Sequence, residues 1–336
     1  PVVLRLWQNE YGGQPILEVA ANKVSVAEAL VEEVFEIARR DSIYRNRTIE
    51  VSFGGELRQT PWGEVEASNE VDIAIKPPQA VSAEDIVLDD EVKEVLERNI
   101  VDLHRRRAQL ADLGVPVKRG LLFYGPPGTG KTYTCKHIAH RLEDATVVVA
   151  AGHALHHAKS VFNVARMLQP AVVVLEDVDL VFTARDQNIH GSAVGELLDE
   201  LDGFASKDEI IFILTTNAIE RVESAIKDRP GRISQCLHFG LPNATLRERY
   251  LRHYLQPYGQ GELDLAPIVE ATDRSSQAFL KEYVFRAVQI ASESDSALRS
   301  REELRLGNEH FSLALEEMKR GSGKSGGGIV GFFGRD

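Results

Sequence analysis

Residues 125–132 read Gly-Pro-Pro-Gly-Thr-Gly-Lys-Thr and fit the phosphate-binding pattern G-x-x-x-x-G-K-[ST] without a mismatch. In such a loop the glycines let backbone N–H groups converge on phosphate oxygens, and the following helix adds a partial positive charge at its N-terminus. Lys131 is placed to reach the β- and γ-phosphates, and the Thr132 hydroxyl is placed to hold Mg²⁺. The other residues expected to contact the bound nucleotide are Pro127, Gly128, Thr129, Gly130 and Tyr133.

The residues around this loop have the local structure that the loop requires. Residues 120–124 form an apolar stretch with strand character, and residues 133–142 have helical spacing without a breaker. The sequence therefore predicts a strand, a glycine-rich loop and a helix in that order.

Two further polar positions follow predicted strands. Glu176 and Asp177 come directly after the apolar run 172–175, and Asn217 follows a second apolar run. A phosphate loop needs acidic groups for the metal and the attacking water, and Glu176 and Asp177 supply them.

The alternation of short apolar runs with helical patterns over residues 81–242 predicts a mostly parallel sheet covered by helices on both faces. The predicted strands of this region are residues 121–124, 146–150, 171–175, 210–215 and 236–239.

The remaining segments differ in character. Residues 1–80 predict a small α+β domain, with strands at 2–7, 16–20, 48–53 and 71–75, a helix from Ser25 to Arg40 with Ser25 as its N-cap, and a proline-containing linker. A long helix is expected over 91–110, and residues 243–320 are expected to be helical. The glycine-rich residues 321–336 are expected to form a flexible tail.

Over roughly residues 81–300, the order of these motifs resembles the AAA family of the AAA+ ATPases, of the protein-remodelling type and similar to stand-alone, single-ring bacterial members. The resemblance implies an α/β P-loop fold: a parallel sheet sandwiched by helices (81–242), an all-α lid (243–320) and a small N-terminal α+β domain (1–80). It also implies that the cofactors are ATP and Mg²⁺, and that the protein is an ATP hydrolase.

The resemblance implies roles for the acidic pair. The family usually has Asp followed by Glu, whereas this chain has Glu176 followed by Asp177. By position, Glu176 holds Mg²⁺ through water and Asp177 polarises the attacking water; a rearranged role with Glu176 as the base is the alternative. Thr132, Glu176 and Asp177 form the expected metal set, the two carboxylates acting through water.

The resemblance also implies a polar sensor at Asn217 and arginine fingers at Arg229 and Arg232, within the sequence Asp-Arg-Pro-Gly-Arg. An arginine finger places a permanent, planar charge against the transferred phosphoryl group. Because the family's fingers act on the neighbouring subunit, the resemblance implies a closed homo-oligomer, expected to be a hexamer.

Two matches concern the nucleotide base. Asp85, Ile86 and Val87 stand where the family has Asp-Ile-Gly, and the backbone around Ile86 and Val87 is expected to hold adenine. Ser276 and Ala278 match the start of the lid helix that packs on adenine and ribose. Arg274 and Gln277 stand at positions where the family commonly has glycine.

The expected client is a protein, bound through residues 1–80 or through the pore of the ring. The first pore-facing stretch, 151–160, lacks the family's aromatic–aliphatic–glycine triplet, and His156 and His157 are candidates to replace the aromatic residue. Two functions follow: a ring ATPase that remodels proteins or their complexes, or a slow ATPase acting as a nucleotide-controlled assembly switch without threading.

Composition and charge argue against several other classes of protein. The 336 residues carry a formal net charge of −12, which argues against nucleic acid as the main partner. No apolar run approaches the roughly 18 residues of a membrane span, and no secretory signal is recognised. The two cysteines fall in a predicted helix and a predicted strand, so a reducing, cytoplasmic location is expected.

Overall fold

The structure is a computed structural model that describes part of the chain: residues 2–7, 16–54, 57–59, 65–67, 70–77, 87–142, 144–186, 191–203, 208–222, 233–258, 263–293, 300–301 and 303–321. Contacts divide the chain into two compact units. The first unit comprises Pro1–Pro78, Arg106–Arg119 and Leu142–Ile213. The second unit comprises Gln79–Arg105, Gly120–Arg141 and Leu214–Asp336.

The described residues form strands and helices in an order close to the predicted one. The strands are β1 (Val2–Trp7), β2 (Ile16–Ala21), β3 (Thr48–Gly54), β4 (Leu57–Gln59), β5 (Val65–Ala67), β6 (Glu70–Lys76), β7 (Arg119–Tyr124), β8 (Thr146–Ala151), β9 (Ala171–Glu176), β10 (Ile210–Thr216) and β11 (Gln235–His238). The helices are α1 (Val24–Asp41), α2 (Asp90–Leu96), α3 (Leu103–Arg105), α4 (Arg107–Asp112), α5 (Lys131–Arg141), α6 (Ala158–Met167), α7 (Asp179–Asp186), α8 (Gly191–Asp202), α9 (Ala244–Leu255), α10 (Leu265–Ala271), α11 (Gln277–Glu293) and α12 (Asn308–Gly321).

The first unit is built on a mixed sheet. β8 pairs in parallel with β9 on one side and with β3 on the other, and β3 pairs antiparallel with β6. Ile49 of β3 lies opposite Val148 of β8, and both side chains are fully buried. Strands from the first 80 residues thus extend the sheet, a pairing that the sequence pattern did not reveal because each strand was interpreted only from its own alternation.

The N-terminal β1–β2 hairpin and α1 form where the sequence predicted them, with one correction at the start of the helix. Ser25 is not the N-cap: α1 begins at Val24, and Lys23, with extended backbone angles, occupies the cap position without a side-chain hydrogen bond. The serine therefore lies inside the first turn, where its hydroxyl cannot cap the preceding backbone N–H groups.

In the second unit, β7 and β11 pair in parallel, with Leu121 opposite Gln235. Residues 244–321 are helical wherever they form regular structure, as predicted. Their common core contains the aromatic side chains of Tyr250, Phe279, Tyr283 and Phe311, all at most 3% exposed. This packing holds the start of α11 in a fixed position, and α11 begins at Gln277.

The expected single helix over 91–110 is interrupted. α2 passes into a π-helical stretch at Glu97–Asp102, and Arg106 leaves helical geometry before α4. The Asn99 side-chain amide donates to the Val95 carbonyl at 2.9 Å, so it competes for the acceptor that an α-helical backbone N–H of residue 99 would use. Apolar periodicity does not reveal such a side-chain competition.

No helix in the described part of the chain combines the length and apolar character needed to cross a membrane.

Replacing Ile49 with Ala tests whether β3 is an integral strand of the sheet. Because the side chain is fully buried, we expect the free energy of unfolding to fall by about 2–5 kcal/mol, measured by urea denaturation. Ser52→Ala, at an exposed position of the same strand, is the control and should change it by less than about 0.5 kcal/mol. Equal, small effects of the two substitutions would show that β3 is not part of the sheet core.

Candidate functional site

The phosphate loop lies between the end of β7 at Tyr124 and the start of α5 at Lys131, as the sequence predicted. Gly125, Gly128 and Gly130 have φ values of +143°, +76° and +97°. Residues with a side chain rarely adopt these backbone conformations, so the three glycines are required for the shape of the loop. The loop is therefore a backbone cradle rather than an ordinary surface turn.

The segment after β11 closes on one side of the loop. The Phe239 N–H donates to the Tyr124 carbonyl at 2.7 Å, and a Cβ at Gly125 would overlap the Phe239 carbonyl oxygen. The backbones approach so closely that only hydrogen fits at this position. Gly125 thus meets two constraints at once, conformation and space.

Lys131 is 6% exposed, and its ammonium group lies at the centre of the loop. Nζ donates to the carbonyl oxygens of Gly125 at 2.8 Å and Pro126 at 2.9 Å, and to Oδ1 of Asn217 at 2.8 Å. Asn217 directly follows β10, so the structure brings together the lysine and the polar residue that the sequence singled out. A positive charge is held where the loop and the end of β10 meet.

The remaining loop residues shape the turn and the start of the helix. The Thr129 hydroxyl donates to the Pro126 carbonyl at 2.8 Å, and the Thr134 N–H donates to the Gly130 carbonyl at 2.8 Å, which continues into α5. Thr132 is exposed in the first turn of α5, Pro127 is exposed in the loop, and Tyr133 is half-buried. The Thr132 side chain is therefore accessible at the start of the helix.

The start of α11 lies against the phosphate loop. The Ala278 N–H donates to the Gly128 carbonyl at 3.0 Å, and a Cβ at Gly128 would lie 3.0 Å from both the Ala278 Cβ and the Ser276 Oγ. Ser276 and Ala278, which the family resemblance had indicated, are thus brought to the loop. Arg274 has a φ of +56°, in the region that favours glycine, which accounts for the glycine common in the family at that position.

Gln277 contributes a contact that the sequence analysis noted only as a departure from the family. Its Oε1 lies 2.5 Å from where a Cβ would be at Gly130, and its Nε2 donates to the Tyr254 hydroxyl at 3.3 Å. The side chain therefore spans from the phosphate loop to α9. No periodicity or motif in the sequence indicates this position.

Beside the loop lies a cavity of about 440 Å³, a volume suited to a small ligand. Its lining includes Val87, Thr129, Leu246, Tyr250 and Gln277. Val87, which the resemblance implies to hold the base, lies in the wall of this cavity. The sequence analysis did not identify Leu246 and Tyr250 as cavity residues. Their i, i+4 spacing on α9 indicates only that they share one face of the helix.

Tyr250 is 3% exposed, and its hydroxyl donates to the Val87 carbonyl. Burial raises the pKa of Tyr250 well above its ordinary value, and the neighbouring Tyr254 adds to the increase. The phenol therefore remains protonated and remains a hydrogen-bond donor throughout the physiological pH range.

The acidic pair lies in the first unit, at the end of β9. Glu176 is the last residue of the strand and is half-buried, whereas Asp177 is exposed and has a φ of +53°. The Leu180 N–H donates to the Asp177 carbonyl at 3.1 Å, and Asp179 begins α7 as a largely buried carboxylate. The strained backbone at Asp177 is a feature that functional sites often carry.

The stretch 151–160, which the resemblance implies to face a pore, contains a 3₁₀-helix at Gly152–His157 and is followed by α6. The His157 ring stacks on Phe53 of β3, with centroids 4.1 Å apart and planes 22° apart. His156 and His157 are both half-buried. The stacked contact gives His157 a packing role that the sequence hypothesis of a substrate-gripping histidine did not include.

Several predicted positions lie outside the described residues. They are Asp85, Ile86, Arg229, Arg232 and residues 322–336 of the tail. Among the residues that the structure does describe, no group of three or more His, Cys, Asp or Glu side chains has an arrangement able to hold a metal ion.

A strand, a glycine cradle with a buried lysine, and a helix define a P-loop nucleotide-binding protein. Comparison with known proteins makes the class more specific: residues 121–241 match the family "ATPase family associated with various cellular activities (AAA)". Residues 121–241 of this chain are therefore similar to the AAA family of ATPases, and this match covers 121 of the 336 residues.

Individual curated proteins are also similar to this chain. The chain is 30% identical over 211 residues to the 26S proteasome regulatory subunit 8 homolog of Schizosaccharomyces pombe, which covers 58% of this chain and 52% of the relative. It is 30% identical over 231 residues to the proteasome-activating nucleotidase 1 of Haloferax volcanii, covering 64% and 56% of the two chains. It is 28% identical over 248 residues to the proteasome-activating nucleotidase of Methanosarcina mazei, covering 69% and 58%. The chain thus spans about half the length of the curated relatives it matches.

Replacing Gly125 with Ala tests the shape of the cradle. The new Cβ combines a strained φ with an overlap against the Phe239 backbone, so we expect the free energy of unfolding to fall by about 2–5 kcal/mol. Urea denaturation measures the change. The control is Gly195→Ala in α8, where a Cβ meets open space; there, stability should rise by up to about 1 kcal/mol. A Gly125→Ala protein as stable as the wild type would contradict the close backbone approach.

Proposed function

We propose that this protein is a Mg²⁺-dependent ATPase that forms a homo-oligomeric ring and uses hydrolysis to remodel proteins or their complexes. The observation that carries the proposal is the position of Lys131, buried at the centre of a glycine cradle and hydrogen-bonded to Asn217. The AAA family match over residues 121–241 supports ATP as the nucleotide.

In this mechanism Lys131 binds the β- and γ-phosphates. An ammonium group has three donors, and Lys131 directs them at three protein oxygens. A phosphate oxygen therefore exchanges with one of these acceptors when it binds. The three protein acceptors are neutral oxygens, whereas a phosphate oxygen carries negative charge, so the attraction between opposite charges favours the exchange. Because Asn217 lies next to Lys131, its side-chain amide is then near the γ-phosphate, where it orients the attacking water.

The acidic pair supplies the remaining groups. Thr132 and, through water, Glu176 and Asp177 are the residues that would hold Mg²⁺, since hydroxyl and carboxylate oxygens are the ligands this hard cation prefers. Bound there, Mg²⁺ would neutralise charge on the β- and γ-phosphate oxygens. Asp177 acts as the base for the attacking water; the alternative assignment gives this role to Glu176.

We further propose that Arg229 and Arg232 reach the γ-phosphate bound by the neighbouring subunit. An arginine that acts across a subunit boundary requires a heterologous contact, which forms a ring when the rotation between successive subunits closes. We propose a hexamer, with residues 1–80 recognising a protein client, residues 81–242 as the ATPase domain, residues 243–320 as the lid, and residues 321–336 as the tail. The relatives named as proteasome-activating nucleotidases and proteasome regulatory subunits support a protein client. We also propose a cytoplasmic location.

A second function is favoured by specific observations. The stretch 151–160 lacks an aromatic–glycine triplet, His157 is packed on Phe53, and the acidic pair is inverted. These features favour a slow ATPase that controls assembly without threading a substrate. Stimulation of ATP hydrolysis by an unfolded protein supports the remodelling enzyme, whereas an ATP-dependent change of oligomer without such stimulation supports the switch.

Replacing Lys131 with Ala tests the nucleotide site. Loss of the charged donors should weaken ATP binding by about 10- to 100-fold and abolish measurable phosphate release. Calorimetric titration with MgATP measures the binding, and steady-state phosphate release measures the hydrolysis. The matched control is Lys136→Ala, an exposed lysine on the same helix α5, which should retain both.

A Lys131→Ala protein that hydrolyses ATP at the wild-type rate would refute the proposed site. Equal losses in the two lysine variants would also count against it, because the effect would then belong to the helix and not to the ammonium group.

A further inference from the structure

The cavity beside the phosphate loop contains a hydrogen bond between two residues that are far apart in sequence. The hydroxyl of Tyr250, on α9, donates to the backbone carbonyl of Val87, 163 residues earlier. Both residues line the cavity, and both are more than nine-tenths buried. The contact therefore fixes a peptide group in the wall of a ligand-sized space.

Neighbouring contacts hold Tyr250 in place. Its ring stacks on Tyr254 with centroids 6.2 Å apart and planes 15° apart. The Tyr254 hydroxyl accepts a hydrogen bond from Gln277, whose side chain lies against Gly130 of the phosphate loop. One connected set of side chains thus links the phosphate loop to the peptide group at Val87.

The chemistry of that peptide group bears on which base fits. A backbone carbonyl has two lone pairs, and the Tyr250 hydroxyl uses one of them. The second lone pair is an acceptor whose direction is fixed. An exocyclic amino group on a purine donates to such an acceptor, whereas a keto oxygen at the same ring position repels it. A carbonyl held in one direction therefore discriminates between an amino group and a keto oxygen better than a mobile carbonyl does.

We propose that Tyr250 is a positioning residue for the base: it holds the Val87 carbonyl as an acceptor and thereby sets a preference for 6-aminopurine over 6-oxopurine nucleotides. This inference rests on the proposed function, because it assumes that the triphosphate occupies the phosphate loop and the base occupies the adjoining cavity.

The test compares three ligands that bind the same loop. ATP and inosine triphosphate differ at the 6-position of the purine, and inorganic tripolyphosphate has no base. Their dissociation constants are measured by calorimetry, with Mg²⁺, for the wild type and Tyr250→Phe. We expect the wild type to prefer ATP over inosine triphosphate, the preference to fall about 5- to 10-fold in Tyr250→Phe, and tripolyphosphate binding to stay the same.

Tyr283→Phe is the matched control. Tyr283 is also a buried tyrosine of the helical core whose hydroxyl donates to a backbone carbonyl, that of Phe311 at 2.9 Å, but it does not line the cavity. We expect Tyr283→Phe to lose stability in urea to a similar degree as Tyr250→Phe and to keep the wild-type preference between the two nucleotides.

The outcomes separate the two claims. A wild type that binds tripolyphosphate and ATP but shows no preference over inosine triphosphate overturns the role of Tyr250 and leaves the proposed function standing. The same holds if Tyr250→Phe keeps the full preference, or if both tyrosine variants lose it equally. A wild type that binds neither ATP nor tripolyphosphate overturns the proposed function and this inference with it.

Discussion

The hydrogen bonds of the Lys131 ammonium group are the interaction on which the candidate site depends. A buried lysine is costly unless its charge is satisfied, and here three oxygens within 2.9 Å satisfy it. Two of those oxygens belong to the loop backbone, which can turn them inward only because Gly125, Gly128 and Gly130 adopt positive φ angles. The third belongs to Asn217, so the position of one charge depends on both β7 and β10. The shape of the loop, the position of Lys131 and the position of Asn217 are therefore coupled.

The helical part of the second unit reaches the same loop through its backbone and through side chains. Ala278 donates to Gly128, and Gln277 lies against Gly130, both from the first turn of α11. The aromatic core of the helices fixes where that turn lies, and Tyr250 connects the same core to Val87. A ligand that orders the loop is therefore coupled physically to the helices, which is the kind of link through which nucleotide binding can change the arrangement of a larger assembly.

Much of this could be predicted from the sequence, for identifiable reasons. The phosphate loop is recognised because the steric need for glycine and the chemical need for lysine fall at fixed spacings, and Asn217 is indicated by its place in the order of the family's motifs. The β3–β8 pairing was missed because non-local strand pairing leaves no local signal. The π-helical stretch was missed because it depends on the side chain of Asn99, and Tyr250 was missed because a buried tyrosine on an apolar face is ordinarily part of the core.

The central claim, that the protein acts as a ring whose arginines complete a neighbour's site, is tested most directly by the rate of ATP hydrolysis as a function of protein concentration. Wild type and Arg229→Ala are compared, with particle masses measured in ATP under the same conditions. The account predicts a steep rise of the wild-type rate with concentration, a matching hexamer mass, and loss of that rate in Arg229→Ala. A rate per subunit that is independent of concentration in a monomeric protein, unchanged by the substitution, would contradict it.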